Sequence, residues 1–259
     1  MIEICGAAVR APDGHGGEAT ILHPTSLTLS ERRISIIGGN GSGKSTLARL
    51  INGLIEPSEG SVRISAEQAP PEQSSTEQQP KSESDRSPEP PARPLDTVRD
   101  GTAVRRLVGF VFTDPAAQLI MPTAIEDVSL SLRRRYRDKR ERHAAALEAL
   151  GRYGLEDLAD RSVHTLSGGQ KQMLAIAAVL AANPAVLVAD EPTTLLDLRN
   201  SRTIADLLLA LPQQVVIVTH DLELAQRADR TLVVDAGRVV FDGAPAAAVA
   251  HYRETVACA

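Results

Sequence analysis

The most constraining feature of this chain is the run Gly38-Gly39-Asn40-Gly41-Ser42-Gly43-Lys44-Ser45-Thr46. It fits G-x-x-x-x-G-K-[ST]. A β-branched segment, Arg33-Ile-Ser-Ile-Ile37, precedes it, and a segment with helical spacing of Leu47, Leu50, Ile51 and Leu54 follows. Strand, glycine loop and helix in that order make a phosphate cradle. Glycines let the backbone curl so that successive N–H groups point inward. The helix N-terminus adds unpaired donors and the positive end of its dipole. In such a loop Lys44 reaches the β- and γ-phosphates, and the Ser45 hydroxyl ligates Mg2+. The expectation is a nucleotide site in an α/β fold.

The rest of the chain fits that architecture. Ser61 to Ile64, Leu107 to Phe112, Ala185 to Ala189, Gln214 to Val218 and Thr231 to Val234 read as strands. Tyr136 to Leu150, Gly168 to Ala182, Ser201 to Leu211 and Leu222 to Ala228 read as helices. Aliphatic strands alternating with helices imply a mostly parallel sheet covered on both faces. One segment stands apart. Residues 66–94 hold seven of the chain's 16 prolines and no Val, Ile, Leu, Met, Phe, Tyr or Trp. Too little apolar surface is available there to offset ordering entropy, so a disordered surface insert is expected. Its six acidic and three basic residues carry −3 of the net charge of −5.

Composition removes several function classes. The longest apolar run, Met173 to Ala182, is about half of a membrane crossing. The N-terminal Met-Ile-Glu-Ile does not open a secretory signal. Cys5 and Cys258 sit at opposite ends, which suits neither a disulfide framework nor a metal cluster and points to a reducing compartment. An acidic balance with only three Phe, three Tyr and no Trp argues against nucleic acid as a partner.

A second acidic element completes the chemistry. Ala185-Val-Leu-Val-Ala189 runs into Asp190-Glu191, which places two carboxylates at the C-terminal end of a buried strand. Ligands bind at that edge of an open α/β sheet. Asp190 is expected in the Mg2+ shell, and Glu191 as the group that positions and deprotonates the attacking water. Further along, Leu166-Ser167-Gly168-Gly169-Gln170 opens an apolar helix and offers another set of Ser and Gly donors. One nucleotide does not need two such turns in one chain. Two chains facing head to tail do, each presenting residues 167–169 to its partner's nucleotide.

On these motifs the sequence resembles the ATP-binding-cassette (ABC) ATPases, over nearly all of its length outside the insert. The resemblance implies a P-loop NTPase domain over residues 1–245, with a mostly parallel core sheet and a small antiparallel β subdomain. It also implies a helical signature subdomain at about 114–182 and a short tail at 246–259. It makes Asp197 the D-loop residue that crosses between subunits, and His220, after the strand Val216-Ile-Val-Thr, the switch histidine at the γ-phosphate. Within the family the segment 110–128 looks like that of energy-coupling-factor (ECF) ATPases, with Thr113 and Gln118 docking on membrane subunits and an extra helix centred on Gln118. The resemblance thus implies an ATP- and Mg2+-dependent ATPase with catalytic Lys44, Glu191 and His220, bound at the cytoplasmic face of the membrane. Its expected partners are a second ATPase chain, a transmembrane coupling protein and a substrate-binding membrane subunit. Only 16 residues follow Gly243. That short end, with Ile120-Met-Pro-Thr123 and Leu195-Leu196, favours the biotin-serving subgroup over cobalt or nickel importers. A hydrolysis-poor partner in a heterodimer and a soluble non-transport cassette protein are the remaining readings.

The family pattern is broken twice. Thr113 stands where the Q-loop glutamine belongs, with one oxygen on a shorter arm. Ala11-Pro12 stands where an aromatic ring stacks on adenine, and no Tyr, Phe or Trp precedes Phe110. Modest nucleotide affinity and weak preference for adenine over guanine are expected.

Overall fold

Two long strands, β1 (Ile2–Pro12) and β2 (Glu18–Leu29), form a hairpin ahead of the loop's own strand, β3 (Arg33–Ile37). In this computed structural model residues 1–14, 16–65 and 93–257 are described, so residues 66–92 of the expected insert and Cys258 lie outside the described residues. After the phosphate loop come α1 (Lys44–Asn52), β4 (Glu59–Ile64) and β5 (Leu95–Asp96). Strands β2, β1, β4 and β5 pair antiparallel in that order as one sheet. This sheet is the expected antiparallel β subdomain; Gly6, Ala7, Ala8 and Pro12 blur the alternation that would mark the bounds of β1.

α2 (Gly101–Leu107) then runs directly into β6 (Val108–Val111). The strand expected from Leu107 begins one residue later because the Val108 N–H closes the helix on Val104 O. α3 (Ala124–Leu132), α4 (Lys139–Gly151) and α5 (Gly168–Ala181) follow. α4 starts after the expected Tyr136, where Asp138 Oδ1 accepts from the backbone N–H of Arg140 at 2.8 Å and of Glu141 at 3.0 Å. These three helices enclose a core of their own, including Val128, Leu150, Leu174 and Ala177.

The chain continues with β7 (Val186–Asp190), α6 (Leu198–Ala210), β8 (Gln214–Val218) and α7 (Leu222–Gln226). It ends with β9 (Arg230–Asp235), β10 (Arg238–Gly243) and α8 (Pro245–Ala257). The residues expected as a tail are therefore largely helical. α8 buries Ala248 and Val249 against Ile37, Ala225 and Val233. Its alanine-rich sequence shows no strong apolar period, which is why it did not read as a packed element.

The second sheet has the order β10-β9-β3-β8-β7-β6, parallel except for β10. β3 and β7 are buried at every position, as strands covered on both faces must be. The chain leaves β3, reaches the far edge at β6, steps back through β7 and β8, and places β9 on the other side of β3. Strand order thus reverses around β3. The C-terminal ends of β3, β7 and β8 share the crevice where this architecture binds ligands. α1 lies between the two sheets, with Leu47, Leu50 and Ile51 fully buried.

Candidate active site

Gly38 leaves β3 at φ 152°, and a Cβ there would sit 2.0 Å from Val234 O, so only glycine fits. The loop then turns through Gly41 and Gly43. Gly43 is the N-cap of α1 and supplies no side-chain cap, which leaves donors at the helix start available to an anion. Support comes from elements that the sequence did not flag. The Gly237 N–H donates to Ser42 O at 2.8 Å, and the His23 N–H donates to Gly237 O at 2.8 Å. The β9–β10 turn and β2 thus brace the loop from one side.

Lys44 is buried, and its Nζ donates to Gly38 O at 2.9 Å and Gly39 O at 2.7 Å. Burial pulls the Lys44 ammonium below the ordinary lysine range, while Glu191 and Asp190 oppose that shift. Ser45 Oγ donates to Asp190 Oδ1 at 2.9 Å. The Asp190 side chain is 2% exposed. Burial pushes its carboxyl above the usual aspartate range, against the Ser45 hydrogen bond and the guanidinium of Arg49, 3.7 Å away. Arg49, on the second turn of α1, carries no motif in the sequence.

Glu191 adopts φ 52°, a left-handed conformation uncommon outside glycine and frequent at functional positions. The Glu191 N–H bonds Val218 O at 2.9 Å, which ties the ends of β7 and β8 together. Glu191 Oε2 lies 2.7 Å from His220 Nδ1 and accepts from Thr194 Oγ1 at 2.9 Å. Asp190, Glu191 and His220 are thus gathered at one sheet edge with Lys44 and Ser45. Thr194 joins them without a sequence signal beyond its place after Glu191. Thr113 belongs to the same cluster: its Oγ1 donates to Asp190 O at 3.0 Å.

Gln118 departs from expectation. In place of a helix centred on it, a single 3-10 turn spans Pro115–Ala117, begun by the Asp114 carboxylate accepting from the Ala116 N–H. The Gln118 amide folds back on edge strand β6, where Oε1 accepts from the Phe112 N–H at 3.0 Å and Nε2 donates to Phe110 O at 3.4 Å. A partner facing this segment would meet Ile120, which is 71% exposed, before it met Gln118.

The second turn forms a separate cluster. Ser167 caps α5 in a reciprocal box: Ser167 Oγ accepts from the Gln170 N–H at 3.3 Å, and Gln170 Oε1 accepts from the Ser167 N–H at 2.9 Å. Leu166 is buried in the helical core. A Cβ on Gly169 would come within 2.6 Å of the Asn200 side chain. Asn200 in turn donates from its backbone and side-chain N–H groups to Asp197, at 2.8 and 2.9 Å. Residues 166–170 therefore pack against the Asp197 segment. Among the described residues no hydrogen bond joins this cluster to Lys44, Ser45 or Glu191.

Known proteins resemble this chain over most of its length. The family model described as ABC transporter matches residues 22–194. A provisionally named ABC transporter ATP-binding protein of Deinococcus radiodurans is 42% identical over 93% of this chain and 94% of its own length. The biotin transport ATP-binding protein BioM of Rhizobium etli is 38% identical over 93% of this chain and 95% of its own. Among solved structures, the dimeric ATP-binding cassette MJ0796 bound to ADP and Pi superposes with TM-score 0.75 at 32% identity, covering 95% of this chain and 99% of that one. The cbiO1 protein of Clostridium perfringens, part of the transporter complex cbiONQ, gives TM-score 0.73 at 29% identity, covering 99% and 92%.

Proposed function

The chain belongs to the ABC transporter family of ATPases, and from that premise we propose that it powers an ECF-type importer whose cargo is biotin. The membership carries ATP binding and hydrolysis with it, on the α/β P-loop fold described above. The catalytic reading rests on one observation: the glycine loop, the Ser45–Asp190 pair and the Glu191–His220 dyad converge on one edge of the core sheet. We take residues 1–245 as one ATPase domain carrying the helical subdomain 114–182, with α8 added to it.

In this reading the backbone N–H groups of residues 38–46 hold the phosphates, and the Lys44 ammonium moves from Gly38 O and Gly39 O onto the β- and γ-phosphates. Ser45 and Asp190 present one hydroxyl and one carboxylate oxygen 2.9 Å apart, a donor set that fits Mg2+. The ion would neutralise charge on the phosphate oxygens. Glu191 accepts the proton of the attacking water. His220 and Thr194 fix its carboxylate, and in this reading the His220 ring contacts the γ-phosphate. Thr113 holds the backbone of Asp190 rather than reaching outward. Residues 166–170 and Asp197, packed together and apart from this chain's own loop, serve the nucleotide of a second ATPase chain.

No described helix is long and apolar enough to cross a membrane. In this reading the chain is peripheral, joined through Thr113 and Gln118 of the segment 110–128 to a transmembrane coupling protein and a substrate-binding membrane subunit. Likeness to BioM supports biotin. The second reading, a cobalt or nickel importer, is equally compatible with likeness to cbiO1, part of an ABC transporter complex. Uptake of radiolabelled biotin and cobalt by cells bearing the intact operon, with and without Lys44→Ala, decides between them. Loss of biotin uptake alone is the expected result. Loss of cobalt uptake alone would overturn the cargo, and unchanged uptake of both would overturn the transport reading.

The base subsite yields a further prediction. Ala11 pairs with Ala19 on the hairpin, two residues before Ile21, whose carbonyl abuts Gly43 of the loop. The hairpin thus flanks the nucleotide site with alanine where a ring would stack. Stacking of a base on an aromatic ring contributes about 1–3 kcal/mol. The wild-type chain should bind ATP and GTP within about threefold of each other, and Ala11→Tyr should tighten ATP roughly tenfold. Calorimetric titration checks both. Strong adenine preference in the wild type, with no gain in the variant, would reject this account.

A further inference from the structure

The connection from α3 to α4 carries a charge run that the ATPase site does not use. Residues 133–142 hold seven arginines and lysines against two carboxylates, a local balance of +5 in a chain whose net charge is −5. Arg133, Arg134, Arg137, Lys139 and Arg140 are exposed. Among the described residues, none of these five side chains is within salt-bridge distance of a carboxylate. Asp138 is spent on capping α4.

The run is held in shape. The Arg142 guanidinium donates to Tyr136 O at 2.9 Å and to Arg137 O at 3.4 Å. Leu132 on one side and Ala146 on the other are buried in the helical core. Five exposed cations (Arg133, Arg134, Arg137, Lys139 and Arg140) close together on a pinned turn repel one another and gain from a polyanion. Two polyanions are common in a cell. Single-stranded nucleic acid needs ring faces for its bases, and the one aromatic here, Tyr136, is half-buried beneath Arg135 at 5.5 Å. A bilayer surface needs only charge. The turn also lies one helix away from the segment expected to meet membrane subunits: α3 spans nine residues, which at about 1.5 Å each is roughly 14 Å.

We propose that residues 133–142 are an electrostatic contact with the anionic headgroups of a lipid bilayer, a membrane attachment separate from the partner subunits. Each Lys or Arg near such a surface strengthens binding about fivefold, and added salt screens it. The test is co-sedimentation of the purified full chain with protein-free vesicles of phosphatidylcholine, with and without phosphatidylglycerol. Binding is expected only to the vesicles containing phosphatidylglycerol, and it should fall as salt rises. Reversal of four charges (R133E/R134E/R137E/R140E) should lower the partition coefficient about tenfold or more while ATPase activity is retained. Reversal of two exposed cations elsewhere (R63E/R99E) should leave binding near wild type. Should the reversed protein misfold, the neutral R133Q/R134Q/R137Q/R140Q set carries the same test. Absence of binding to anionic vesicles, equal binding by the patch variants, or patch-dependent binding to single-stranded RNA without binding to vesicles would each overturn the proposal. The vesicles hold no membrane subunits, so failure here leaves the ATPase reading untouched.

Discussion

Exchange of Glu191 for Gln is expected to slow steady-state ATP hydrolysis by about 10²–10³-fold while ATP binding survives. Gln keeps the size of the side chain and an oxygen able to accept from Thr194, so the strained backbone at φ 52° need not move. It removes the negative charge facing His220 and the lone pair that accepts a proton from water. If the nucleotide is closed between two head-to-tail chains and released by hydrolysis, the variant should accumulate as an ATP-bound dimer. Size-exclusion chromatography with light scattering, run with ATP and with ADP, measures that directly. A variant that hydrolyses ATP at the wild-type rate would remove Glu191 from the chemistry. One that is inactive but stays monomeric in ATP would separate the base from the dimer cycle.

Lys44→Ala should abolish turnover more completely, because it removes the fixed positive charge on which the transferring phosphoryl group depends. Loss of one such stabilising contact costs about 10²–10³ in rate, and weakened ATP binding adds to that. The fold should survive. Among the described residues Nζ bonds only the loop carbonyls of Gly38 and Gly39, and burial already disfavours its charged form. The sign follows from that shift. The unfolded chain holds this proton more tightly than the folded one, so Lys44 makes stability rise as pH climbs toward the ordinary lysine range. Lys44→Ala should lack that rise. Thermal melts at several pH values, alongside ATPase and nucleotide titrations, distinguish a catalytic loss from a folding defect. Wild-type turnover in Lys44→Ala would refute the phosphate role.

Both predictions come from residues legible in the sequence, for a local reason. A glycine loop before Lys-Ser works through backbone donors within nine residues. An Asp-Glu pair after an aliphatic run sits at a strand end wherever that strand lies. Thr194 and Arg49 were illegible because they act through neighbours that are close only after folding. Gln118 misled for a related reason. Its segment resembles one with an extra helix, yet the edge strand β6 offers the Phe110 carbonyl and the residue after it, Phe112, an N–H, and the amide satisfies both. α8 was missed because alanines pack a helix without announcing a face.

What the sequence determined by itself was the chemistry of each segment: a phosphate loop, a strand ending in two carboxylates, a second donor turn and a histidine after a strand. Short-range rules suffice for these, since each is built within one turn or one strand end. The tertiary structure decided the distances and contacts at which those segments meet. Parallel pairing of β3 with β8 and of β8 with β7 carries Lys44, Asp190, Glu191 and His220 to one edge. Packing of Gly169 on Asn200 leaves the second turn beside Asp197 and away from this chain's own loop. Strand order is set by burial summed over the whole sheet, a quantity that no single segment contains.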